Sequence, residues 1–330
     1  MLRLFAELIP CLGLGFWIGR LRPGWTQPLA IPLVRFGVPV SVMGLLLKGG
    51  LNWSLAAIAL TAALAISTWM LVLQGLPPAW RPVSSPALQI GCALGNTAYF
   101  GIPVALALLP SEALPISIGY DLGATLLAWS LGPFWLRRKA PAGSSAPSSA
   151  NDLSTGRQGT VSELLRQISA SPASRGLVGA LLVQSTPWGE AIASALWLPS
   201  RIVIVLALVV VGMRLGAIPD DGNTSASDLD TRSELDQQRG GELRAALICK
   251  LLLFPSWVWL LCSLLPLSIL SRQALVLQGA APAAISVLLM AEHAGTDADR
   301  AARLILRSTL LALISVPLWW YLLLQPSGTL

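Results

Sequence analysis

Apolar runs of about 20 residues, the length a helix needs to cross about 30 Å of hydrocarbon, follow one another along most of this chain. Only 12% of the residues are charged, against about a quarter in an ordinary soluble domain. A soluble helix-rich core of this size would lack the polar sequence to cover itself. The expected fold is therefore an all-α polytopic membrane protein. Spans are expected near 4–19, 30–47, 54–76, 86–109, 113–136, 173–187, 191–213, 244–265, 268–291 and 303–324. The first of them is read as a transmembrane helix and not as a cleavable signal. It carries Glu7, is followed by Arg20 and Arg22, and lacks an A-x-A-like cleavage site.

Charge orients these spans. One set of loops holds 16 of the 22 Lys and Arg residues, including Arg81, Arg137, Arg138, Lys139 and Arg300. The other set holds only Arg3, Lys48 and Arg272. The positive-inside rule then places both termini outside and the central linker in the cytoplasm. The net charge of +6 is explained by those basic loops, and no nucleic-acid partner is implied. Cys11, Cys92, Cys249 and Cys262 all fall inside apolar runs without C-x-x-C spacing, so they read as small buried hydrophobes rather than disulfides or zinc ligands.

Residues 137–171 are rich in Ser, Ala, Pro and Gly and read as a linker between two halves, 1–136 and 172–330. The linker ends in Thr160-Val-Ser-Glu163, a capping-box pattern opening a short amphipathic helix. A second polar stretch, Gly216 to Glu242, has no evident core. The halves echo each other. Thr125-Leu-Leu-Ala128, Pro133 and Trp135 recur 184 residues later as Thr309-Leu-Leu-Ala312, Pro317 and Trp319. Five helices per half is an odd number, so the two repeats would run oppositely through the bilayer, as in many secondary transporters.

Spans four and nine carry the strongest helix-weakening sequence. Span four holds Gly91, Gly95-Asn96-Thr97, Gly101 and Pro103; span nine holds Gly279-Ala-Ala-Pro282-Ala283-Ala284-Ile-Ser286. Proline removes a backbone donor and disrupts the preceding turn, and in hydrocarbon the freed groups must find partners or line a wet cavity. Such residues also suit close helix packing, as Gly91-x-x-x-Gly95 does. Their paired occurrence in corresponding positions of two halves points to a binding site between interrupted helices.

The run Gly95-Asn96-Thr97-Ala98-Tyr99-Phe100-Gly101-Ile102-Pro103 resembles the G-N-T-G-F-L-G-[IL]-P hallmark of the auxin efflux carrier family, with departures at Ala98, Tyr99 and Phe100. Ala281-Pro282-Ala283-Ala284, then Ala291-Glu292 and Gly295-Thr296-Asp297, are similar to further segments of that family, and Ser308-Thr309-Leu310-Leu311 with Pro317-Leu318-Trp319 resembles its last helix. The resemblance implies ten transmembrane helices as two inverted five-helix repeats, interrupted helices four and nine that cross, an elevator-like motion, and a homodimer as the usual assembly. It also implies roles. Asn96 and Thr97 would meet a substrate carboxylate, Pro103 and Pro282 would mark the two breaks, and Ala283, Ala284 and Ser286 would line the facing side, beside Gly95 and Gly101.

Ionisable residues inside spans are functional candidates by default. Asp121 in Gly119-Tyr120-Asp121-Leu122-Gly123 is the candidate proton or cation site, or the partner of a base such as Arg35. Arg35 and Lys250 lie near cytoplasmic ends and read as snorkelling side chains. Arg201 is expected to reach the outer interface, and His293 to be solvated.

An intramembrane enzyme is a poor fit. Tyr120-Asp121 has no second intramembrane acid with which to share a proton, and neither H-E-x-x-H nor G-x-S-x-G occurs. Gly13-x-Gly15-x-x-x-Gly19 misses the dinucleotide fingerprint by one residue. No cofactor or metal is implied. The expected function is a carrier in the cytoplasmic membrane that exports small organic anions, among them carboxylates, auxin-like indole acids and dicarboxylates. The alternatives are a sodium-coupled uptake symporter of the bile acid type, or a membrane scaffold or receptor.

Overall fold

The computed structural model describes residues 2–50, 53–77, 80–138, 172–217, 240–294 and 297–324. The described residues are helical, with no strand among them. The linker with its capping box, and most of the second polar stretch, lie outside the described residues, as do the side chains of Glu292 and His293. We label the helices α1 (Leu2–Leu21), α2 (Thr26–Pro32, a π turn at Leu33–Gly37, and Val38–Gly49), α3 (Trp53–Gly75), α4a (Pro86–Ala93) and α4b (Thr97–Leu108). They continue as α5 (Ala113–Arg138), α6 (Pro172–Gln184), α7 (Gly189–Gly216), α8 (Gly240–Ser263), α9a (Ile269–Gly279), α9b (Ile285–Ala294) and α10 (Ala298–Leu324). Among the described residues, four helices are long and apolar enough to cross a membrane: Trp53–Gly75, Gly189–Val210, Gly240–Ser263 and Ala298–Leu323. Their outward faces are apolar, with Leu60 71% and Ile314 72% exposed. Patches of this kind are rare on soluble proteins and suit a lipid solvent.

The helices pack in two groups. α1, α2, α6 and α7 form one; α3, α4, α5, α8, α9 and α10 form the other, and the two meet along α4b and α5. In the first group α1 crosses α7 on glycines. A Cβ at Gly15 or Gly19 would strike the carbonyls of Val209 or Met213, and one at Gly212 or Gly216 would strike those of Leu12 or Phe16. The segment Gly13-x-Gly15-x-x-x-Gly19 is thus a helix-packing face, the small-xxx-small arrangement that lets backbones touch where lipid gives no hydrophobic drive. In the second group, Gly119 and Gly123 bring α5 against Leu55, Ile58 and Ala59 of α3. Asp121 is carried between these two glycines.

Three π turns share one sequence cause. Leu33–Gly37, Thr97–Gly101 and Cys249–Leu253 each end two residues before a proline: Pro39, Pro103 and Pro255. A proline cannot donate to the carbonyl four residues back, and a wider turn re-routes the ladder around the loss. The carbonyl that Pro255 leaves, Leu251 C=O, accepts the Trp319 indole N–H at 2.9 Å.

Candidate functional site

Helices four and nine are both broken, and the breaks meet. α4a starts at an N-cap, Ser85, followed by Pro86, and α9a starts at another, Ser268. Each serine hydroxyl accepts an N–H of the first turn, from Leu88 and Ser271 respectively. α4a stops at Ala93 and α9a at Gly279. The two unwound stretches then pair as a single antiparallel bridge between Gly95 and Ala283. The Asn96 N–H donates to Pro282 C=O at 2.7 Å, and the Ala284 N–H donates to Leu94 C=O at 3.0 Å. The Ala283 N–H donates to the Ser308 hydroxyl at 3.0 Å. Backbone groups released by unwinding are thus satisfied by the opposite break and by α10, as hydrocarbon requires.

The break in α4 spans 94–96, and Pro103 lies downstream inside α4b. The expectation that Pro103 marks this break is corrected. Its ring sits near the start of the regular helix Ile102–Leu108 and accounts for the π turn before it. Pro282 does lie in the α9 break, at the bridge.

Asn96 is 6% exposed, and its carbonyl accepts both the Phe100 and Gly101 N–H groups, which starts α4b. The Thr97 hydroxyl donates to Asp121 Oδ1 at 2.5 Å. The Ala98 backbone and the Thr125 side chain lie near the same carboxylate. This buried carboxylate therefore stands beside the first turn of α4b, held by the Thr97 hydroxyl, where the helix dipole favours an anion. Asp121, Ser41, Ala98, Tyr99 and Ile102 line a cavity of about 20 Å³ between α2, α4b and α5, room for about one water. Two of the three departures from the family hallmark, Ala98 and Tyr99, shape it. A second cavity, of about 180 Å³, is lined by Ile66, Met70, Leu94, Leu127 and Trp135 between α3, α4a and α5.

Arg35 does not pair with Asp121. Its guanidinium lies 5.5 Å from the Phe36 ring on an exposed face of α2, while Thr97 takes the carboxylate. Arg201 is likewise exposed, 6.0 Å from the Trp197 ring. Ser286, on α9b, is half-buried.

Lys250 corrects the snorkelling expectation. It is fully buried, donates to Gly279 C=O at 3.1 Å, and rests 4.6 Å from the centre of the Phe254 ring. A Cβ on Gly95 would come within 3.2 Å of its Nζ. The π turn ahead of Pro255 carries Lys250, so its direction departs from what a regular helix predicts. Gln278, the residue before that carbonyl, is also fully buried, and its Oε1 occupies the space where a Cβ of Gly101 would stand. The sequence reading sent Lys250 toward the interface and passed over Gln278. The signal it had was Gly95 and Gly101, read as helix weakeners; they are also notches that admit these two side chains.

A sequence profile described as "Membrane transport protein" matches residues 47–320. The chain belongs to this family, the auxin efflux carrier family. A comparison with curated proteins finds no match. The family is one of membrane transporters. Its matched region takes in both breaks, Asp121 and Lys250, so the crossing lies wholly within the part of the chain that defines a membrane transport protein.

At one end of this region a polar cluster ties three helices of the larger group. Glu242 of α8 accepts from the Ser84 and Ser85 backbone N–H groups and the Ser84 hydroxyl, all at the start of α4a. Arg300 of α10 donates to the other Glu242 oxygen at 2.9 Å, and the Ser85 hydroxyl donates to Asp297 at 2.7 Å. Asp297, at φ 47°, precedes α10.

Proposed function

We propose that this membrane transport protein is a secondary transporter that exports small organic anions, such as carboxylates, indole acids or dicarboxylates, across the cytoplasmic membrane by elevator-type alternating access. The observation that carries the reading is the bridge between two broken helices, with Asn96, Thr97 and Asp121 beside it. Gly95, Gly101, Pro282, Ala283, Ala284 and Ser286 would shape the seat around the substrate. The division into two helix groups supports a moving element, since α3 to α5 and α8 to α10 would slide as one body past α1, α2, α6 and α7. Corresponding members of the two halves fall in the same group, which supports two inverted five-helix repeats in a ten-span protein. We assign both termini to the outside and the linker to the cytoplasm on the loop charges.

Asp121 is the candidate coupling group. An anion binding near its carboxylate meets like-charge repulsion, which a proton on Asp121 removes. Proton movement would thus accompany each carboxylate.

The test is flux through purified protein in liposomes, with labelled indole-3-acetate, benzoate and malate and with proton, sodium and voltage gradients imposed separately. Gradient-driven movement of at least one anion, lost in Asn96→Ala, is the expected result. A protein that moves none of them under any gradient would end the reading.

A further inference from the structure

Two polar side chains outside the family hallmark press on α4 at the two glycines that flank Asn96 and Thr97. Lys250 reaches Gly95 from α8, and Gln278 reaches Gly101 from α9a. Both are fully enclosed. Of the three N–H donors on Lys250, one is used on Gly279 C=O. No carboxylate stands within ion-pair distance of it among the described residues, and Asp121 is taken up by Thr97. On Gln278, neither the amide nitrogen nor the amide oxygen has a hydrogen-bond partner among the described residues. A buried charge without a counter-charge and a buried amide without partners are both costly. Their placement on either side of Asn96 and Thr97, one at the break and one at the first turn of α4b, is explained if the missing partner is an anionic ligand.

We infer that Lys250 and Gln278 complete a carboxylate seat at the crossing. This rests on the transport reading above and adds to it the residues that choose the substrate's charge. Lys250 is a positioning residue: held by Gly279 and Phe254 beside Gly95, its protonated amine supplies a positive field next to Asn96. Gln278 offers its amide N–H to the same carboxylate. In a low-dielectric interior one positive charge a few ångströms away is worth roughly tenfold or more in preference for an anion over a neutral isostere. The seat therefore takes organic monocarboxylates and rejects the matching primary amides.

The experiment measures inhibition of labelled indole-3-acetate uptake into liposomes by unlabelled indole-3-acetate and by indole-3-acetamide. In the wild type the acid should compete roughly tenfold or more better than the amide. In Lys250→Met that ratio should collapse toward one while maximal flux falls less than apparent affinity, and Lys250→Arg should restore it. A helix-packing role alone would lower flux without moving the ratio. Gln278→Met keeps shape and charge and should weaken the acid about tenfold. It decides the matter if Lys250→Met does not fold. An unchanged ratio in a folded Lys250→Met, or wild-type affinity in Gln278→Met, overturns the inference and leaves the transport reading standing. A wild type that moves no anion in the wider panel overturns both.

Discussion

The Asn96 N–H donates to Pro282 C=O across 2.7 Å, joining residues from opposite halves of the chain at the one place where both helices have unwound. This bond and its partner from Ala284 to Leu94 make the two breaks a single unit. The side chain of Asn96 is therefore presented from a backbone fixed at both ends, while its amide takes no part in the bridge.

That separation predicts a clean phenotype for Asn96→Ala. The backbone bridge survives, so the variant should elute and melt like the wild type. Flux should fall tenfold or more if the amide makes one or two hydrogen bonds to a charged substrate, each worth about 1.5–3 kcal/mol. Size-exclusion and melting profiles beside the flux assay would separate the two effects.

Asp121→Asn keeps the size of the group and a hydrogen-bond acceptor for Thr97, but it cannot exchange a proton. Flux in this variant should no longer respond to an imposed proton gradient, and a monocarboxylate that now moves without a proton should respond to voltage. Proton-driven flux at wild-type level would remove Asp121 from the coupling role.

The α1–α7 crossing tolerates no added atom. Gly212→Ala would push a methyl into Leu12 C=O, and neither backbone can yield without parting the helices. The expected destabilisation is about 1–3 kcal/mol, read as a lowered Tm in detergent. Gly13→Ala is the control, because nothing lies within 4 Å of its Cβ position, and its Tm should not fall.

Glu242→Ala should loosen the start of α4a. It strips the acceptor from Ser84 and Ser85 and leaves Arg300 with Asp297, 3.7 Å away, as its acid partner among the described residues. The cost should be about 1–3 kcal/mol. Hydrogen exchange should rise first over residues 84–89 and 297–301. Uniform exchange along the whole chain would contradict a local brace.

Much of the architecture was legible because it depends on local sequence. Apolar run length marks helices that must satisfy their own backbone. Gly-Asn-Thr and Gly-Ala-Ala-Pro mark where two of them cannot. Even the three π turns follow from proline positions, though Pro103 taken alone misplaced the break by several residues. The break falls instead where the opposite strand offers Pro282 C=O and Ala284 N–H, and such a partner is remote in sequence.

The chain by itself determined a helical membrane protein with two weak points, since hydrophobic length and missing backbone donors act within a few residues. Tertiary packing alone decided which side chains furnish the weak points. Lys250 turned inward and not toward the interface because a π turn aims it at the notch of Gly95 and Gly279 offers a carbonyl there. Asp121 met Thr97 and not Arg35 because α5 docks on α3 through Gly119 and Gly123. Each choice depends on which faces of distant helices come together, and no local pattern of residues encodes that.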